Sequence, residues 1–226
     1  LFNAVFSVNK KLVIWAKRTL KVEKTFYVKN FIAEALPYDI TKNFQGARGK
    51  RLVCVANFRE QKNHHLLLDA FEKLLETDPE YTLHLFGETP DTLYAKSILQ
   101  RLKEHPFKSS VFYHGLYLKM SAVLPHFDAG VLSSNSEGLP LALLEYGQAG
   151  LAVITTDVGQ CKQVLDDAGI CVPPEDTEAF ASALLHLEEN PLEAQQKAKI
   201  FQNKVQEHYG APSILIEVLS IYAQII

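Results

Sequence analysis

From Arg51 onward the chain alternates short apolar runs with segments of helical periodicity, and this alternation leaves few folds open. The apolar runs cover residues 52–56, 81–86, 111–114, 129–132, 152–155 and 169–172. Each is too short for a buried helix and is bounded by turn residues, so each reads as a strand buried on both faces. Between them lie segments with an apolar stripe. The clearest follows Asn63, which can cap a helix whose buried face is Leu67, Phe71, Leu74 and Leu75 and which ends before Pro79. Further helices are expected over 92–102, 118–124, from Pro140, over 160–165, 177–187, 197–209 and 212–226. Six strands alternating with helices imply an α/β fold with a parallel sheet covered on both faces. Right-handed crossovers make it a doubly wound, Rossmann-like sheet. Such sheets bind ligands beyond the carboxyl ends of their strands, where the strand order switches.

The stretch Ser136-Glu137-Gly138-Leu139-Pro140-Leu141-Ala142-Leu143-Leu144-Glu145 leaves one of those carboxyl ends. Gly138 allows a tight turn, and Pro140 suits the first turn of a helix, where its missing N–H would be unpaired anyway. The free N–H groups of a helix start bind anions, phosphate above all. Glu137 and Glu145 are eight residues apart, about 12 Å along a helix axis at 1.5 Å per residue. A sugar joined to a ribose through a diphosphate has that reach. An ordinary helix with an acid near its positive end and a second acid in water fits the same spacing.

Residues 57–63, Asn57-Phe58-Arg59-Glu60-Gln61-Lys62-Asn63, leave the first strand of the alternating region. Arg59 could meet phosphate oxygens through its planar fork and Lys62 as a point charge, or both could be solvated bases. Neither G-x-G-x-x-G nor a P-loop is present, which disfavours a nicotinamide dinucleotide site. Residues 155–159 end a later strand with hydroxyls, an acid and a glycine, and either line the pocket near Glu137 or form a helix-entry turn. The histidines have no metal-ligand spacing and there is no D-x-D motif, so no metal and no cofactor are expected. No serine sits in a G-x-S-x-G elbow, which argues against an α/β-hydrolase.

The formal net charge is −3 over 226 residues, which gives no electrostatic reason to expect nucleic acid. Three cysteines, Cys54, Cys161 and Cys171, read as reduced thiols of a cytoplasmic protein. The sequence shows neither a signal peptide nor an apolar run of membrane-spanning length. It opens on Leu1 in what reads as the middle of a protein, so a fragment is expected. Residues 37–49 are polar and rich in turn formers, and a domain boundary is placed there.

Taken in order, these motifs resemble the retaining glycosyltransferases of family four, whose GT-B fold has two facing Rossmann-like domains. Residues 56–64 look like that family's basic loop, Glu137 through Glu145 match its two-glutamate motif, and residues 150–159 match the segment that follows. Tyr222 sits in a tail like the family's last helix. The resemblance covers roughly residues 50–226. Residues 5–7 and 28–30 look like the last strand of the first domain and the crossing out of it. The resemblance therefore implies a remnant of the acceptor domain over 1–36, a linker over 37–49, a nucleotide-sugar-binding domain over 50–190, and helices over 191–226 that pack back toward the first domain.

The resemblance also implies roles. Glu137 would bind the donor sugar beside the reacting carbon, while Lys62 and Arg59 would stabilise the leaving diphosphate. Glu145 would hold the ribose, the N–H groups of Gly138, Leu139 and Leu141 the phosphates, and the loop from Gly115 and Leu116 the base. Asn57 stands where the family often has arginine, and Arg59 is the expected substitute. Leu139-Pro140 replaces the commoner Phe-Gly, and Tyr146 follows Glu145 where a small residue is usual. The implied activity is transfer from a UDP- or GDP-sugar to a glycan, a lipid-linked acceptor or another acceptor, as in polysaccharide biosynthesis. The full-length protein would be cytoplasmic, with peripheral membrane contact open to it, and this fragment alone would be inactive. The alternatives are a non-catalytic nucleotide-sugar-binding module and, less favoured, a sugar-nucleotide epimerase.

Overall fold

The structure, a computed structural model, describes residues 2–8, 10–33, 43–104 and 106–225. The amino-terminal part is a small β-α-β unit: β1 (Val5–Ser7), α1 (Lys10–Thr19) and β2 (Thr25–Tyr27). Its two strands pair in parallel, with Val5 opposite Thr25 and Ser7 opposite Tyr27. Strand β2 is thus only three residues long. Beyond it Ile32 makes a parallel bridge to Gly210. The boundary expected over residues 37–49 lies partly outside the described residues.

The main body runs β3 (Arg51–Val55), α2 (His64–Thr77), β4 (Thr82–Phe86), α3 (Leu93–Arg101), α4 (Phe107–Ser110), β5 (Val111–Tyr113), α5 (Met120–Val123) and β6 (Ala129–Leu132). It continues with α6 (Leu141–Ala149), β7 (Ala152–Thr156), α7 (Cys161–Leu165), β8 (Ile170–Val172), α8 (Thr177–Glu189), α9 (Pro191–Tyr209) and α10 (Ala211–Ile225). The six strands β3 to β8 form one sheet in the order β5-β4-β3-β6-β7-β8, and every adjacent pair is parallel. This is the doubly wound arrangement, with its switch point between β3 and β6.

Alternation along each strand feeds two cores, one on each face. Leu52, Cys54, Leu83, Leu85, Val131 and Ile154 point to the side covered by Phe71 and Leu74 of α2 and Phe180 and Leu184 of α8. Val53, Phe86, Leu132 and Val153 point to the other, covered by Leu143, Leu144 and Tyr146 of α6 and Phe201 and Val205 of α9. All five residues of β4 and of β7 are buried, as expected of strands covered on both faces, and the buried set includes the polar Thr82, His84, Thr155 and Thr156. Helix α9 starts at Pro191, six residues before the expected start. Pro191 takes the first helical position behind Asn190, and the first turns carry few apolar residues to announce a helix. A third, small cluster joins Val28 to Ile214 and Ile221 of α10. Among the described residues, no helix is long and apolar enough to cross a membrane.

Candidate active site

The carboxyl ends of β3 and β6 diverge into two loops, residues 56–63 and 133–140, and a cleft of about 550 Å³ opens between them. Glu137, Lys62, Arg59, Glu145, Leu139, Leu141, Asn57 and Leu116 all line it. Two of the expected residues do not. Gly138 turns its carbonyl to the N–H of Gln160 (2.8 Å), and the carbonyl of Gly115 accepts from Gly87 (2.9 Å). Gly115 has φ +72°, so it turns the loop that presents Leu116 rather than facing the cleft.

Lys62 and Glu137 form the polar centre. Lys62 Nζ lies 2.5 Å from Glu137 Oε1, and the Glu137 side chain is only 8% exposed. Ser134 Oγ donates to the same carboxylate oxygen at 2.7 Å. Neither loop is held by this ion pair alone. The hydroxyl of Ser133 lies 2.9 and 3.0 Å from the carbonyls of Lys62 and Asn63. The N–H of Asn135 donates to the carbonyl of Gln61 (2.8 Å), and Asn63 Nδ2 donates to Asn135 Oδ1 (2.9 Å). Asn63 adopts a left-handed conformation (φ 45°, ψ 53°), and its side-chain oxygen caps α2 by accepting from the N–H of Leu66. Lys62 is thereby fixed immediately before a helix start.

The far bank is α6. Pro140 precedes this helix as its cap (φ −70°, ψ 128°) instead of standing inside the first turn, so the free N–H groups begin at Leu141. Glu145 is half-buried in the cleft and has no hydrogen-bond or ion-pair partner among the described residues. Burial alone raises its carboxyl above the usual glutamate range. The segment 155–159 supports the loop from behind. Thr156 Oγ1 donates to the carbonyl of Ser134 (2.6 Å). A Cβ on Gly159 would lie 2.3 and 2.4 Å from the carbonyl oxygens of Glu137 and Gly138. Asn57 spends its side-chain oxygen on the N–H of Glu88 (2.9 Å), while Arg59 is exposed at the cleft mouth.

The sequence did not single out Phe86, Tyr117 and Met120, which also line the cleft. Asn30 enters it from the segment after β2, donating through Nδ2 to the carbonyl of Leu139 (3.0 Å). The hydroxyl of Tyr27 likewise donates to Gln160 Oε1 (3.2 Å). Ser134 was readable only as a small polar residue after a strand. Among the described residues no group of three His, Cys, Asp or Glu could hold a metal ion.

The family described as "Glycosyl transferases group 1" matches residues 49–190. A glycogen synthase of Mycobacterium tuberculosis is 25% identical over 174 residues, 76% of this chain and 42% of that protein. The putative glycosyltransferase EpsF of Bacillus subtilis is 31% identical over 121 residues, 53% of this chain and 31% of that protein. The chain thus spans less than half the length of these relatives. Among solved structures, Anabaena HepE in complex with UDP-glucose superposes over 98% of this chain and 64% of its own, with TM-score 0.80 and 13% identity. The pneumococcal O-GlcNAc transferase GtfA, in complex with UDP and GlcNAc, superposes over 99% of this chain and 45% of its own, with TM-score 0.79 and 18% identity. Both likenesses are of fold.

Proposed function

The chain belongs to the group 1 glycosyl transferases, and on that premise we propose that it is the donor-binding half of a retaining glycosyltransferase. The donor is a nucleoside diphosphate sugar, UDP- or GDP-linked, and the acceptor a glycan or a lipid-linked sugar bound by another part of the full-length protein. One observation carries this reading: Lys62, Glu137 and Glu145 line a single cleft at the switch point of the sheet.

The chemistry follows from the two banks. An ammonium has three N–H donors, and Lys62 spends one on Glu137, so the others can meet diphosphate oxygens. The start of α6 faces the same volume from the opposite bank and favours negative charge. As the anomeric C–O bond breaks, charge grows on the departing diphosphate. Lys62, Arg59 and the helix start stabilise it where it forms. Glu137, held by Lys62 and Ser134, presents its other oxygen to the sugar hydroxyls. Glu145, without a hydrogen-bond or ion-pair partner among the described residues, accepts from the ribose hydroxyls. Leu116, Tyr117 and Phe86 cover the base.

Calorimetric titration of the chain with UDP and GDP tests the reading. Binding of one of them is expected, weakened about tenfold or more in Lys62→Ala and Glu145→Ala, in line with the loss of a charged hydrogen-bond partner. Equal affinity in all three proteins would remove the reading. Turnover by the full-length protein then separates a transferase from a nucleotide-sugar-binding module without activity.

A further inference from the structure

Strands β3 and β6 pair over only two residues, Leu52 with Ala129 and Val53 with Gly130. Their outer neighbours stay paired for longer: β3 with β4 as far as Val55 and Phe86, and β6 with β7 as far as Leu132 and Thr155. The switch-point ladder therefore stops early, two residues before either strand ends. At that point the N–H of Ala56 goes to β4, donating to Phe86, so the N–H of Val55 faces β6. Its acceptor is not a β6 carbonyl. It is the hydroxyl of Tyr146, at 2.7 Å.

Tyr146 is fully buried, and its ring lies directly over Gly130. A Cβ at Gly130 would stand 2.3 Å from Tyr146 Cδ2 and 2.4 Å from Cγ. Glycine is costly inside a strand and marks close approach by another group; here that group is the phenol. The residue before Tyr146 is Glu145, and Val55 lines the same cleft as Glu145. One side chain thus reaches from the helix that carries the second acid to the last residue of β3.

We propose that Tyr146, seated on Gly130, is a positioning residue that wedges β3 from β6 and sets the distance between the Lys62 bank and the α6 bank. The proposal rests on the donor-cleft reading above, because it assigns the wedge to the width that a diphosphate must span. Without the hydroxyl, the part-buried Val55 N–H loses its acceptor, or turns to the next β6 carbonyl and narrows the cleft.

Nucleotide affinity and melting temperature are measured for the wild-type chain, Tyr146→Phe and Gly130→Ala, with titrations well below every melting point. In Tyr146→Phe the dissociation constant of whichever of UDP or GDP the wild type binds is expected to rise about fivefold or more, the worth of one hydrogen bond. Exchange of the Val55 amide with solvent is expected to quicken. Gly130→Ala, whose methyl must displace the ring, is expected to weaken binding likewise, and either folded variant suffices. Unchanged affinity in a folded variant overturns the proposal even if its melting point drops, since a packing role alone would do that. Failure of both variants to fold overturns it as well, because the pair would then serve the core. A wild-type chain that binds neither nucleotide sinks the donor reading itself, and the wedge proposal falls with it.

Discussion

Two titratable side chains, the half-buried Glu145 and the buried His64, set opposite pH dependences. Glu145 has its carboxyl pKa raised by burial, with no ion-pair partner among the described residues. Its charged form is therefore less favoured in the folded chain than in the unfolded one, and at neutral pH it costs stability. Glu145→Gln is expected to melt higher than wild type at pH 7. The gain should shrink as pH falls through the raised folded value and vanish below the ordinary glutamate range. Nucleotide affinity should fall in the same variant, which places the acid among residues kept for binding. His64 runs the other way. Its ring is 1% exposed and packs 4.5 Å from Phe58. Burial, the largest cause, lowers its pKa from 6.5 to about 4. The unfolded chain binds that proton first, so the stability contributed by neutral His64 is complete above pH 6.5 and is lost between 6.5 and about 4. Urea titrations at pH 7 and pH 4.5 should show a larger loss in wild type than in His64→Leu. At this scale the acids and the lysine were legible, because spacing after a strand constrains charged groups. Ser134 and Tyr146 were not, because a hydroxyl reveals its partner only once the chain has folded back.

The loops hold their shape through helix ends, and Asn63 is the clearest case. It closes the turn after Lys62, caps α2 and reaches across to Asn135. Asn63→Ala removes the cap and the bond to Asn135 and puts an alanine at φ 45°. It is expected to destabilise the chain by about 2 kcal/mol or more. Asn63→Gly restores the backbone freedom but not the bonds, so its loss should be smaller. Midpoints of chemical denaturation give both. The cap and the apolar stripe of α2 were legible in the sequence, since capping is a local rule. Other elements depended on tertiary context. Pro140 sits one place before its helix rather than in the first turn, because its ψ of 128° turns the chain into α6. Helix α4 (Phe107–Ser110) was not expected at all. It is a single turn held by one buried aromatic, Phe107, and four residues are too few to show a period. Strand β2 stops at Tyr27, level with the end of β1 at Ser7, so its length was set by its neighbour and not by its own sequence.

For the molecule as a whole, the six-strand parallel sheet was readable from the alternation, and the rule that ligands sit at a switch point directed attention to β3 and β6. The early end of their pairing was not readable, for it depends on a tyrosine sixteen residues past the glycine that admits it. On the proposed reading, donor binding and transfer belong to different parts of a longer protein. The groups assigned to the donor come from the loops and element ends at the carboxyl side of this sheet, from α6 and from the segment around Asn30, whereas the chain spans 42% of the glycogen synthase it matches. The β1-β2 unit and α10 also expose large apolar side chains, among them Trp15 at 52%, Ile216 at 71% and Leu219 at 66%, more than a surface made only to meet water would carry. The isolated chain is therefore expected to bind UDP or GDP with measurable heat and to release no nucleotide from a UDP- or GDP-sugar supplied with glycan acceptors. The full-length protein should release it. Efficient turnover by residues 1–226 alone would mean that this half also brings the acceptor to the anomeric carbon, and the division of labour drawn here between the two parts would be wrong.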